Sequence, residues 1–114
     1  MANPTTAPYG RAALEVLSRD PFNRVAERRL LRGSNVLQAY QFWSSGGADL
    51  ALVAASIAGD AGVEIPANWH APIEQHAILL TFGQDRRAAT EFLDFLQSTV
   101  AVATIGVAGY RSCS

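Results

Sequence analysis

The run Asp49-Leu50-Ala51-Leu52-Val53-Ala54-Ala55 is apolar at nearly every consecutive position, and this narrows the folds open to the chain. A strand with one wet face alternates polar and apolar side chains. A run that is apolar on both faces suits a strand inside a parallel sheet with helices on either side. A second run, Ile73 to Phe82, reads as the longest strand, mixed at its start and fully apolar at its end. Helical spacing surrounds both. The pattern predicts a helix from Tyr9 to Ser18, with Ala13, Val16 and Leu17 on one face and Glu15 and Arg19 outside it. Asp20-Pro21 breaks that helix, and Asp20 or Asn23 is placed to cap a short second one holding Val25 and Leu30. Leu30-Leu31-Arg32-Gly33 is a very short strand or the exit of that helix. Ser34 then caps a helix from Asn35 to Ser44, with Val36, Leu37, Tyr40 and Trp43 toward the core and Gly46-Gly47 as its stop. Val63-Glu64-Ile65 is a further short strand. Asp85 caps a helix from Arg86 to Gln97, whose apolar face is Ala88, Ala89, Phe92, Leu93, Phe95 and Leu96. Thr99 to Ala108 reads as a last helix of weak propensity by position, although its composition also permits a strand. This order of elements is an α/β pattern: a short mixed sheet flanked by helices, in one domain.

In open α/β sheets, ligands sit at the carboxyl ends of strands beside helix N-termini. Two places qualify. Pro8 suits the first helical position, since its missing N–H costs nothing there. The preceding Ala7 has no side-chain acceptor, and no carboxylate occurs from Met1 to Ala13. The backbone N–H groups of Tyr9, Gly10 and Arg11 therefore read as open, at the positive end of a helix dipole, which is a seat for an anion. The other place is the end of the first apolar run, Val53-Ala54-Ala55-Ser56.

Composition excludes several classes. The 114 residues carry nine basic and ten acidic side chains, a net charge of −1, and every basic residue is Arg. A polyanion-binding surface needs clustered positive charge, so nucleic acid is not an expected partner. Arg28, Arg29 and Arg32 are interleaved with Glu27 and leucines and read as a solvated face. No apolar run approaches the length of a membrane span. Met1-Ala2-Asn3-Pro4 has no basic segment leading into an apolar one, so no secretory signal is expected here. That predicts a cytoplasmic chain as given, or a periplasmic one if it derives from an exported protein. His70 and His76 straddle Pro72 at a spacing that matches no metal motif, and Glu74 and His76 share a strand face where they can hydrogen-bond. Cys113, near the C-terminus, has no positioned base. Neither a catalytic nor a metal site is expected, and the chain is read as a non-enzyme. Trp43 and Trp69 read as core or loop anchors.

Four segments together carry a resemblance. Ala2-Asn3-Pro4 with Ala7-Pro8-Tyr9-Gly10-Arg11-Ala12-Ala13 resembles the opening of the second lobe of bacterial periplasmic molybdate-binding proteins, the substrate-binding components of molybdate ABC transporters. Arg32-Gly33-Ser34-Asn35-Val36-Leu37-Gln38-Ala39 is similar to a helix of that lobe, and Gly47 to Ser56 to a strand and turn of it. Pro72-Ile73-Glu74-Gln75-His76-Ala77-Ile78-Leu79-Leu80 looks like a strand of the family, and Ala89 to Gln97 with Gly109-Tyr110 like its C-terminal end. The resemblance implies one lobe of a type II periplasmic-binding-protein fold. It implies a bare tetrahedral oxyanion, molybdate, tungstate or sulfate, as ligand and no cofactor. The second-lobe donors would be the N–H of Tyr9 and the N–H of Val53, and Gln75 falls near a position where some members place a tyrosine hydroxyl.

The family has two lobes, and this chain matches one. The segment 99–114 corresponds to a C-terminal part that packs on the first lobe in the family. Half the donors would be missing, so the chain alone is expected to bind the anion weakly or not at all. The cleft face around Tyr9 and Val53, and the apolar segment with Val100, Val102, Ile105 and Val107, would be uncovered. That predicts a homodimer through one of these surfaces. The competing expectation is a homodimeric interaction or structural module with no retained small-molecule function.

Overall fold

The computed structural model describes residues 1–25 and 28–113. Five α-helices are present among them: α1 (Pro8–Leu17), α2 (Val36–Ser44), α3 (Ala55–Ala58), α4 (Arg87–Leu96) and α5 (Thr99–Val107). Short 3-10 turns occupy Phe22–Arg24, Gly59–Ala61, Ala67–Trp69 and Thr81–Gly83. Among the described residues helix of both kinds takes up 49% and no strand forms, so the expected α/β fold with a short mixed sheet is not found: the fold is helical. A strand is defined by its partner, because each extended residue needs a neighbouring edge for its N–H and C=O. Asp49 to Val53 and Ile73 to Leu80 keep their apolar side chains but have no ladder among the described residues, and Val63 to Ile65 is irregular. What survives of sheet geometry among the described residues is one parallel bridge between Ala2 and Gly33.

The chain divides into two compact units, Met1–Ile73 and Glu74–Ser114. In the first, three main-chain hydrogen bonds hold the segments on either side of the bridge together. The Met1 amine donates to the Leu31 carbonyl (2.9 Å), Gly33 N–H to Met1 (2.9 Å) and Asn3 N–H to Gly33 (2.7 Å). Residues 30–32 are irregular and Gly33 makes only this isolated bridge, so the very short strand read for 30–33 does not form. Ala2 is fully buried there, and Met1, Ala12, Ala13, Val16, Ala39 and Ala54 are the other buried apolar residues of this unit. α1 buries Ala12, Ala13 and Val16 on the face that helical spacing selects, and Leu17 is half-buried.

In place of the short second helix there is only the 3-10 turn Phe22–Arg24, followed by an irregular Val25; Ala26 and Glu27 lie outside the described residues. Arg28 departs from a solvated face. Its guanidinium donates to the carbonyls of Leu17 (3.4 Å) and Phe22, tying the end of α1 to the following turn. The cap of α2 is Asn35 and not Ser34: Asn35 Oδ1 accepts from Gln38 N–H at 2.9 Å. Ser34 has another task, since its N–H (2.7 Å) and hydroxyl (2.9 Å) both donate to Gln38 Oε1. The two residues and Gln38 form a reciprocal arrangement like a capping box, displaced by one residue. α2 buries Ala39, while Leu37 and Trp43 stay exposed. Gly46, at φ 78°, ends the helix in the left-handed conformation that favours glycine.

In the second unit α4 packs with α5. The cap residue of α4 is Arg86, with no side-chain cap, so Asp85 does not perform the expected role. The broad apolar face narrows to a half-buried stripe of Ala89, Leu93 and Leu96, with Ala88, Phe92 and Phe95 exposed. α5 resolves the ambiguity of its composition in favour of helix. Ser98 caps it by accepting from Ala101 N–H at 3.2 Å, which satisfies one orphan donor that a weak helix former needs satisfied.

Candidate functional site

The opening of α1 is wound around Asn3. Its side-chain oxygen accepts from Thr5 N–H (3.0 Å), and its carbonyl accepts from Ala7 N–H (2.9 Å) and Thr6 N–H (3.3 Å). This turn delivers Ala7 in extended geometry (φ −129°, ψ 127°) and Pro8 as the first helical residue, and Ala7 contributes no side-chain cap. One expectation is corrected here. The N–H groups of Gly10 (3.0 Å) and Arg11 (3.3 Å) are spent on the Ala7 carbonyl, because the first turn closes as a tight one. Tyr9 is half-buried at the second helical position. The first turn of α1 holds no acidic residue, so its dipole is not offset there.

Val53 is half-buried and precedes Ala54, whose carbonyl accepts from Ile57 N–H (3.0 Å) and Ala58 N–H (3.1 Å) as α3 begins. α3 also lacks an acidic residue in its first turn and a side-chain cap. Tyr9 and Val53 thus both stand at helix openings within the first unit. Gln75 is exposed and belongs to the second unit, in the run without regular structure.

The alternative chemistries are not assembled. Among the described residues no group of three or more His, Cys, Asp or Glu side chains is placed to hold a metal. His76 Nε2 and Glu74 lie 3.5 Å apart, both exposed, which is the local pair expected of residues sharing a face. His70 Nδ1 is 2.8 Å from the Ala71 carbonyl; that oxygen can only accept, so Nδ1 carries the proton. Cys113 is exposed.

One feature of the site's surroundings was not legible in the sequence. An open groove of about 530 Å³ runs along α1, with Glu15 and Arg19 on one side and Trp69 and His70 on the other. Glu15 Oε2 accepts the Ala71 N–H at 2.6 Å across 56 residues of sequence. The Arg19 guanidinium lies over the Trp69 ring at 5.4 Å, and Phe22 packs on the same ring with centroids 5.8 Å apart. Glu15 and Arg19 lie outside the apolar face of α1, which marks them as polar positions without naming a partner. Trp69 acts as the loop anchor that its type suggests.

Comparison with known proteins places the chain in a family. The model of the bacterial extracellular solute-binding protein family matches residues 1–111, and the chain belongs to that family. Among individual relatives, the molybdate-binding protein ModA of Azotobacter vinelandii is 37% identical over 117 aligned residues, covering 96% of this chain and 46% of the relative. The molybdate-binding protein ModA of Rhodobacter capsulatus is 37% identical over 114, covering 96% of this chain and 45% of the relative. The chain therefore spans about half the length of these relatives. No helix among the described residues is long and apolar enough to cross a membrane.

Proposed function

We propose that this chain is one lobe of an oxyanion-binding protein of the molybdate or tungstate type, serving an ABC transporter from the periplasm and carrying out no catalysis. The observation that carries the reading is the 37% identity to two molybdate-binding proteins over 96% of the chain. The site is assigned to the openings of α1 and α3, with Tyr9 and Val53 offering backbone N–H groups; Gln75, in the second unit, is a separate side-chain candidate of lesser weight. A doubly charged oxide suits helix openings free of carboxylates, since amide dipoles stabilise it without a countercharge.

A single lobe supplies only part of the donors. Each charge-assisted hydrogen bond contributes on the order of 1.5–3 kcal/mol, and each 1.4 kcal/mol or so is tenfold in affinity. Lacking two or three such bonds, the 114-residue chain alone binds molybdate in the millimolar range or not at all. Isothermal titration with sodium molybdate, sodium tungstate and sodium sulfate tests this. A submicromolar site in a verified monomer would overturn the half-site reading.

Exposed apolar side chains favour a second reading, self-association with no small-molecule role. Ile78 (77% exposed), Phe82 (79%) and Val107 (92%) are uncovered in the second unit. Light scattering decides it: a dimer whose melting temperature ignores all three anions supports the second reading, and a monomer stabilised by molybdate supports the first.

A further inference from the structure

We infer that residues 74–80 are an open edge of extended backbone, to which a second copy of this chain adds the same residues, antiparallel. The inference deepens the second reading above, self-association, and rests on it. The segment carries neither turn nor bend, and Leu80 at its end is extended (φ −71°, ψ 151°). Glu74 and His76 stand 3.5 Å apart, as residues two apart on one face of an extended chain can. Among the described residues no backbone N–H of 74–80 donates, and only the Leu80 carbonyl accepts, from Gly83 N–H at 2.8 Å. All of these residues but the half-buried Leu79 are exposed. Such a row of unpaired main-chain donors and acceptors is the template that a further strand pairs with. Edges of this kind are ordinarily blunted by proline or charge. Here the polar side chains end at His76, and Ala77, Ile78, Leu79 and Leu80 follow.

A segment that is apolar at one end and charged at the other fits a copy of itself run the opposite way. A parallel copy in register sets Glu74 against Glu74, and like charges directly opposite destabilise. An antiparallel copy centred on Ala77 sets Glu74 opposite Leu80, His76 opposite Ile78, and Ala77 opposite itself. The two carboxylates then lie about 20 Å apart along the pair. Ile78 and Leu80 of both copies fall on one face, where the two Ile78 side chains are diagonal neighbours. Each copy thus gives the other the main-chain partners and the apolar cover that 74–80 does not find in its own chain.

The test uses the full chain at rising concentration, with no anion added. Light scattering reads the size of the particle, and amide hydrogen exchange reads the segment. Association protects every second amide of 74–80 about tenfold or more, because a two-stranded antiparallel pair hydrogen-bonds alternate residues only. In a mixture of isotope-labelled and unlabelled chains, contacts between copies run from Gln75 to Leu79 and from Ala77 to Ala77. Ala77→Lys sets two ammonium groups opposite each other at the centre and raises the concentration needed for association about fivefold. Val107→Ser removes an exposed apolar side chain outside the segment and stays near the parent. Association that ignores Ala77→Lys and leaves 74–80 unprotected overturns the inference, while self-association itself stands. A parent that remains monomeric overturns both. An Ala77→Lys chain that does not fold leaves the decision to the exchange and contact data on the parent.

Discussion

Gly10 of α1 stands so close to Ala2 that a β-carbon on it would lie 2.4 Å from the Ala2 carbonyl oxygen, with Asn3 and Pro4 backbone atoms at 2.7 Å. The helix is seated directly on the backbone of residues 2–4, beside the bridge to Gly33. No side chain yields in such a contact, because every atom facing the new carbon is main chain. Gly10→Ala therefore forces α1 away from residues 2–4 and disturbs the buried Ala2, Ala12 and Ala13. The expected loss is about 1–3 kcal/mol or more, read as a fall in the urea midpoint, with the opening of α1 displaced from its turn at Asn3.

Gly106 gives the opposite result. It lies within α5, and a β-carbon there meets nothing within 4 Å. Gly106→Ala gains helix propensity and restricts the unfolded chain, a stabilisation of about 0.4–1 kcal/mol. Gly109, at φ 92° just beyond the helix, is the position where the same replacement is strained. Paired urea titrations of the two variants check this: the midpoint rises for Gly106→Ala and falls for Gly109→Ala.

The contrast between helices and strands shows what the sequence could and could not convey. Helical spacing is local, and it located α1, α2 and α4 to within about a residue, whereas α5 was placed by its position and its composition left a strand open. Caps are nearly local, and there the neighbours competed: Asn35 took the cap from Ser34, because Gln38 serves both residues. The sheet was another matter. Residues 49–55 advertise burial on both faces, but pairing requires a second segment that no local pattern specifies, and among the described residues only Ala2 and Gly33 meet. In the candidate site the same division holds. The uncapped Ala7 and the absence of acid near Tyr9 were readable, whereas the capture of Gly10 and Arg11 N–H by Ala7 depends on how tightly the first turn closes. The Glu15–Ala71 bond joins residues too far apart in sequence for any spacing rule.

The amine of Met1 makes stability depend on pH. It is partly buried and donates to the Leu31 carbonyl, and burial lowers its pKa below the usual value for a terminal amine of about 8. In the folded chain the charged form is the disfavoured one, so the unfolded chain holds more proton just below pH 8. Stability from this group is then fully present above about pH 8 and is lost as pH falls through the lowered folded value. The urea midpoint of the free-amine chain should rise from pH 6.5 to 8.5 relative to that of an N-terminally acetylated chain. The acetylated chain cancels every other titrating group, including His70 and His76. A difference between the two that does not change with pH would show that the amine is as well solvated in the folded state as in the unfolded one.

A carboxylate at the opening of α1 separates the anion reading from its rivals. Ala7 is the cap residue and offers no side-chain acceptor. Ala7→Asp places a negative oxygen where a helix N-terminus favours one, and this stabilises the chain by about 0.5–1 kcal/mol. The same carboxylate stands beside Tyr9, where a dianion would sit, and repels it. The variant should therefore melt higher than the parent in plain buffer and lose the response to molybdate. Ala7→Ser supplies the cap without the charge, so it should gain part of the stability and keep more of the response. If Ala7→Asp and the parent shift equally with sodium molybdate, the anion sits elsewhere. In that case the opening of α1 serves the fold alone, through the turn at Asn3 and the seat at Gly10.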